Sequence, residues 1–204
     1  MNNPIINSIF SVPIFEDNLD VNFKELSNWC LTTSDSSSPI YCGHHDRTRS
    51  SIHNATSELT ILSKKIIDSA VTSYYKMQNP NGDFTNFTPP PIFFMKRMWC
   101  NIYNRNGYMD PHNHYESPYV GTFYLTDSPA KISFYHPSQY RPNDRYKVIP
   151  TPGKLIIWPG WLAHQVEPNF SDDIRISISF KLEFIIPNID NDGRRMDTEM
   201  GVNL

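Results

Sequence analysis

The stretch from Ile174 to Phe184 constrains this chain most. Ile174, Ile176, Ile178, Phe180, Leu182 and Phe184 alternate with Arg175, Ser177, Ser179, Lys181 and Glu183. Side chains on a strand point to opposite faces in turn, so this segment reads as a strand with one apolar and one polar face. The apolar face demands a covering layer. The polar face can then look into a barrel interior. A buried guanidinium without a counter-charge costs several kcal/mol. An interior Arg175 therefore predicts an anion opposite it.

A covering layer is visible upstream. Between Ser57 and Met77, Leu59, Leu62, Ile66, Ala70 and Tyr74 recur at three- and four-residue spacing, while Lys64, Lys65, Asp68 and Lys76 fall largely elsewhere on the wheel. This spacing predicts an amphipathic helix. A shorter helix is predicted over 22–31, where Asn22 and Glu25 resemble a capping box and Phe23, Leu26 and Cys30 share a face. Before it, Ser8–Phe15 is apolar and broken by Pro13, which reads as an extended edge strand.

From Ile92 the pattern turns to β and stays there. Strands are predicted at Met95–Asn104, Tyr119–Thr126, Lys131–Tyr135, Arg145–Ile149, Lys154–Trp158 and Ile174–Phe184. Turn signals separate them, such as Asn106-Gly107, Asp127-Ser128-Pro129 and Thr151-Pro152-Gly153. Frequent aromatics and 17 prolines agree with a β-rich, loop-rich chain. Many short strands after two helices predict a mainly β fold, a sandwich or small barrel with the helices packed outside. The expected organisation is a single domain over 1–204, with a strand and helical support in 1–91, the β core in 92–186 and a polar tail in 187–204. The tail is read as fraying or packing on a partner, which leaves a homodimer open.

Bulk properties exclude several classes. At 39% hydrophobic and 19% charged residues the chain is globular rather than disordered. A net charge of −3 offers no global argument for nucleic-acid binding. Cys30, Cys42 and Cys100 lie far apart, without a C-x-x-C pair, and read as reduced intracellular thiols. No export signal is visible at the start, and no apolar run approaches the roughly 20 residues that span a bilayer. The expected location is the cytoplasm.

The chemistry gathers in the second half. His112 and His114 share one side if their segment is extended, and His164 from a distant strand can complete a facial set on one metal. Imidazole suits Fe, Zn, Cu and Ni, so ligand type does not choose the metal. Glu116 competes for the second position, because two histidines and one carboxylate make the usual iron oxygenase triad, and Asp110 is also near. Arg175 offers a planar fork for a carboxylate, and Ser177 points the same way. Tyr103 and Tyr124, on strands flanking the His-x-His loop, offer phenols to the same carboxylate. Trp158 and Trp161 bracket the turn before His164. His44, His45, His53 and His136 read as ordinary loop histidines.

These residues resemble the 2-oxoglutarate- and Fe(II)-dependent oxygenases of the double-stranded β-helix (jelly-roll, cupin-like) fold, in particular a bacterial and phage group with a His-x-His motif. The matching stretches are His112-Asn113-His114, Val120-Gly121-Thr122-Phe123-Tyr124-Leu125, the run from Gly153 through Pro159 to His164, and Arg175-Ile176-Ser177-Ile178-Ser179-Phe180. The opening Ile9–Ile14 is similar too, so the likeness covers most of the chain and is strongest over 98–184. The wider superfamily carries His-x-Asp where this chain has His-x-His. The resemblance favours His114 over Glu116, since the position of Glu116 is not usually acidic in that group. It implies Fe(II) on His112, His114 and His164, with 2-oxoglutarate gripped by Arg175 with Tyr103 and Tyr124; Ser177, on the Arg175 face of its strand, is expected to add a further hydrogen bond. It also implies O2 as cosubstrate, release of succinate and CO2, and hydroxylation of a primary substrate. Two other readings remain: a three-histidine cupin-type dioxygenase without 2-oxoglutarate, and a non-catalytic metal-binding jelly-roll module. The loops over 32–56, 79–92 and 136–145 are expected to line the entrance.

Overall fold

A computed structural model describes residues 12–33, 56–78, 91–137 and 144–186. Two helices, α1 (Phe23–Thr33) and α2 (Ser57–Gln78), precede most of the β structure. The strands are β1 (Phe15–Asn18), β2 (Ile92–Tyr103), β3 (Met109–His112), β4 (Tyr119–Tyr124), β5 (Ile132–Tyr135), β6 (Arg145–Val148), β7 (Lys154–Pro159), β8 (His164–Val166) and β9 (Arg175–Ile185). They form two antiparallel sheets, ordered β1-β7-β4-β9-β2 and β3-β8-β5-β6. This is the predicted mainly β architecture with flanking helices, a double-stranded β-helix core.

Both helices begin where side chains satisfy free backbone N–H groups. Asn22 Oδ1 accepts from the Glu25 N–H at 3.2 Å, and Thr56 Oγ1 accepts from the Leu59 N–H at 3.3 Å. The amphipathic face of α2 does what its spacing predicts. Leu59, Leu62, Ile66 and Ala70 are buried in one cluster with Leu26 and Cys30 of α1 and with Ile176, Ile178, Phe180 and Leu182 of β9. Each fully buried aliphatic side chain there stabilises by roughly 1.5–3 kcal/mol. The covering layer demanded by the apolar face of β9 is thus the pair of helices. A second, smaller cluster of Val120, Tyr124, Ile132, Phe134, Val148, Ile156, Trp158 and Leu162 lies between the two sheets.

The first strand is displaced from its expected position. Residues 8–11 lie outside the described residues, and Val12–Ile14 form no strand, with Val12 and Ile14 packing instead on the inter-sheet cluster. Pairing begins at Phe15, after Pro13, which has no N–H to give a ladder. β1 is an edge strand as predicted, paired to β7 alone. The Ser69 hydroxyl donates to Asp17 Oδ2 at 2.7 Å and ties that edge to α2. The polar tail, Cys42, His44, His45, His53 and most of the expected entrance loops also lie outside the described residues.

Two features of the sheets position the site. β3 and β8, which strand patterning did not pick out, pair so that His112 stands opposite His164. And β2 shifts register against β9 between Met95 and Arg97, leaving Lys96 as an extra residue. A one-residue bulge reverses which face each later side chain takes. Phe93 and Met95 therefore pack toward the helices with Met98 and Cys100. Arg97, Trp99, Asn101 and Tyr103 line the cavity between the sheets.

Candidate metal and cosubstrate site

The cavity holds the three histidines and the four cosubstrate residues the sequence proposed, but not the competing carboxylates Glu116 and Asp110. His112, His114 and His164 line it together with Tyr103, Tyr124, Arg175 and Ser177. Its volume is about 140 Å³, on the order of ten times what a single water needs, so it can admit a ligand of several atoms.

Three imidazoles converge on one side. Their ligating nitrogens all lie within 4.8 Å of one another. Ring centroids are 4.3 Å apart for His112 and His164, 5.1 Å for His112 and His114, and 5.4 Å for His114 and His164. The local chain explains the aim of each ring. His112 Nδ1 lies 2.8 Å from the Asp110 carbonyl and His164 Nδ1 lies 2.9 Å from the Leu162 carbonyl. A carbonyl can only accept, so each Nδ1 carries the proton and each Nε2 keeps its lone pair for a ligand. His164 is 3% exposed, edge-on to Trp158 at 4.8 Å. Burial, aided by the neighbouring His112 and His114, holds its pKa down to about 3. It is therefore a neutral imidazole across the physiological range, as a metal requires.

His114 lies just beyond β3 and is held by backbone. Its N–H donates to the Gly160 carbonyl at 2.7 Å, and its own carbonyl accepts from the Ser117 N–H at 3.0 Å. Gly160 is packed so closely that a Cβ there would lie 2.0 Å from the Ser117 carbonyl oxygen and 2.5 Å from that of His114. Gly160→Ala is thus expected to push the His114 loop away. We expect destabilisation of about 2 kcal/mol or more by denaturant unfolding, together with weakened metal binding by calorimetry. Unchanged binding would mean that the loop yields without moving His114.

Glu116 and Asp110 do not join the cluster. The Glu116 carboxylate is 58% exposed and pairs with Lys181, whose ammonium holds it below the usual carboxylate range. It lies 4.0 Å from His114 Nδ1, beyond hydrogen-bonding reach. Asp110 is exposed and offers its backbone carbonyl to His112. The two tryptophans differ in place: Trp158 is buried beside His164, whereas Trp161 is 45% exposed.

Arg175 sits across the cavity and is 1% exposed. Strand register sets its neighbours, with Tyr103 opposite Arg175 and both Asn101 and Tyr124 opposite Ser177. The guanidinium carbon lies 5.3 Å from the centre of the Tyr103 ring and 5.4 Å from that of Tyr124. One arginine nitrogen donates to the Ala130 carbonyl at 3.1 Å. Among the described residues its Nε and the Tyr124 hydroxyl are buried with no hydrogen-bond partner. Burial raises the Tyr124 phenol to about 12, against the pull of the Arg175 charge, so it stays a donor. Two buried donors left open beside a buried cation fit a carboxylate, which would accept from both and supply the missing charge.

Fold and site together define a jelly-roll with three convergent histidines and a buried arginine in one cavity. Residues 97–181 match the protein family described as "Putative 2OG-Fe(II) oxygenase". No curated protein sequence matches the chain. A prolyl-4-hydroxylase structure from Pseudomonas putida is similar with a TM-score of 0.52, at 10% identity, covering 84% of this chain and 93% of that one. At that identity the likeness is one of fold. A 2OG-Fe(II) oxygenase family oxidoreductase from Burkholderia pseudomallei is 15% identical with a TM-score of 0.47, covering 64% of this chain and 59% of that one. The epimerase SnoN of nogalamycin biosynthesis is 17% identical with a TM-score of 0.38, covering 46% and 47%. The chain thus spans about half the length of the last two. No helix among the described residues is long and apolar enough to cross a membrane.

Proposed function

We propose that this chain is a 2-oxoglutarate- and Fe(II)-dependent dioxygenase that hydroxylates a primary substrate. The observation that carries this reading is the placement of three convergent imidazoles and a buried, incompletely satisfied Arg175 in one cavity. His112, His114 and His164 would hold Fe(II). Arg175, with the Tyr124 hydroxyl and Ser177, would hold the far carboxylate of 2-oxoglutarate, and the Tyr103 ring flanks the guanidinium. Bound Fe(II), 2-oxoglutarate and O2 supply oxidative decarboxylation to succinate and CO2, coupled to oxidation of the substrate. The protein's share is positioning. Backbone carbonyls fix two ring orientations, the Trp158 and Phe134 rings wall off His164, and Arg175 would answer the charge of the far carboxylate.

The test is succinate formation by purified protein given Fe(II), 2-oxoglutarate and O2, which such enzymes produce slowly even without their substrate. No turnover together with no calorimetric binding of 2-oxoglutarate would overturn the proposal. Iron-dependent oxygen uptake without 2-oxoglutarate would favour the three-histidine cupin-type reading instead. The ligand set has its own test. Glu116→Gln should change metal affinity by no more than about fivefold, the scale of an exposed ion pair. His114→Ala should lower it by more than the roughly 100-fold that an outer partner can cost. The reverse ranking would make Glu116 the ligand.

A further inference from the structure

Trp158 carries a polar atom that packing does not need. The residue is 3% exposed and belongs to the cluster between the sheets, with Val120, Ile132, Phe134, Ile156 and Leu162. A phenylalanine would fill such an apolar place without bringing a donor. Buried indole N–H groups usually find a hydrogen-bond partner. Among the described residues the Trp158 Nε1 is buried and has none. A donor left so costs its full desolvation, and native proteins rarely leave one open.

Its place says which partner is missing. Trp158 lines the cavity, as do Tyr124 and Arg175, whose hydroxyl and Nε are open in the same way. The three do not stand together. Strand pairing puts Tyr124 opposite Ser177, two residues from Arg175, and puts Trp158 opposite Val120. Val120 and Tyr124 are four residues apart on β4, roughly 13 Å. Trp158 stands instead at the histidine end. Its ring centre is 4.8 Å from that of His164 and 5.1 Å from that of Phe134, which pairs with His164 across β5 and β8. An indole N–H can only donate, so its partner is an acceptor. His164 Nε2 is not that partner. The faces of neighbouring rings offer only a weak bond. What is left is an oxygen of a ligand lying next to His164.

We propose that Trp158 is a ligand-binding residue of this site, its indole N–H donating to an oxygen of the bound acid at the histidine end, while Arg175 and Tyr124 hold the other end. For 2-oxoglutarate the histidine end takes the oxo-acid group. This rests on the assignment of the histidines to a metal and of Arg175 to the cosubstrate.

The test is proton NMR and calorimetry on protein loaded with Zn(II), a diamagnetic ion. The Trp158 indole N–H signal is identified by its contacts with the Phe134 and His164 rings and by its absence from Trp158→Phe. It is expected to move downfield when 2-oxoglutarate is added. Oxalate, which lacks the far carboxylate, is expected to move it too, and to do so equally in Arg175→Met. Trp158→Phe should weaken both acids by about tenfold. Its zinc affinity should stay within about threefold, short of the roughly tenfold that losing an outer partner costs. A signal that stays in place on binding of one acid or the other overturns the proposal, as does a Trp158→Phe protein that binds both as the wild type does. So does a variant that loses zinc affinity alone, which would make Trp158 a support for His164. Should Trp158→Phe fail to fold, the signal of the wild type decides the matter. If oxalate binds and 2-oxoglutarate does not, the cosubstrate assignment fails, while the oxalate response still decides the role of Trp158. If the protein binds no zinc, both fall.

Discussion

Replacing Arg175 by methionine is expected to weaken 2-oxoglutarate binding by about 10- to 100-fold or more while leaving the ligand-free protein at least as stable as the wild type. The two effects share one cause. Arg175 is 1% exposed, with one hydrogen bond to a backbone carbonyl, two phenol rings beside it and an open Nε. A buried charge so poorly compensated costs stability, and an apolar replacement of similar volume is commonly neutral or stabilising, by about 1–4 kcal/mol in known buried-ion cases. Hydrogen bonds to a charged group contribute roughly 1.5–3 kcal/mol, so loss of the clamp should weaken 2-oxoglutarate by about 10- to 100-fold or more. Calorimetry reads the binding and thermal unfolding reads the stability. A variant that unfolds much earlier than wild type and still binds 2-oxoglutarate would show Arg175 to be a structural residue.

His112→Ala is expected to reduce succinate formation to background and to weaken metal binding by more than about 100-fold, beyond what an outer partner costs. Its ring is half-buried and stands opposite His164 across β3 and β8, so removal strips a ligand without opening the core. The unfolding midpoint of the metal-free variant should stay close to wild type. Mn(II) should raise the midpoint of the wild type by mass action and leave that of the variant unchanged. His164→Ala should lose the metal equally and in addition lose about 2 kcal/mol or more, because that ring fills a buried place against Trp158. A His112→Ala protein that still gains stability from Mn(II) would place the metal elsewhere.

Much of this was legible in the residues. The alternation of β9 announced both its helix-covered face and an interior arginine, and the spacing in α2 announced the cover. The strands β2, β4, β5, β6, β7 and β9 lie within a few residues of their expected limits, because each carries enough alternation or turn chemistry to be seen locally. β3 and β8 are too short for any period to show, and they become strands only by pairing with each other and with β5. The close seat of Gly160 under Ser117 and His114 also has no local signature beyond a glycine in a turn.

Glu116 shows the same limit from the side of chemistry. Its spacing from His114 fits a metal triad, yet the side chain turns outward to Lys181. That partner is supplied by a strand far along the chain. Arg97 and Trp99 are a further case. Simple alternation from Phe93 would send them to the helix side, and the one-residue bulge at Lys96 sends them into the cavity. By itself, then, the sequence determined which residue types carry the chemistry and which faces must be buried, since periodicity and side-chain character are local properties. Only the tertiary structure decided which of them meet, because register, bulges and close backbone approaches are settled between strands distant in the chain, where one residue of slip exchanges the inside for the outside.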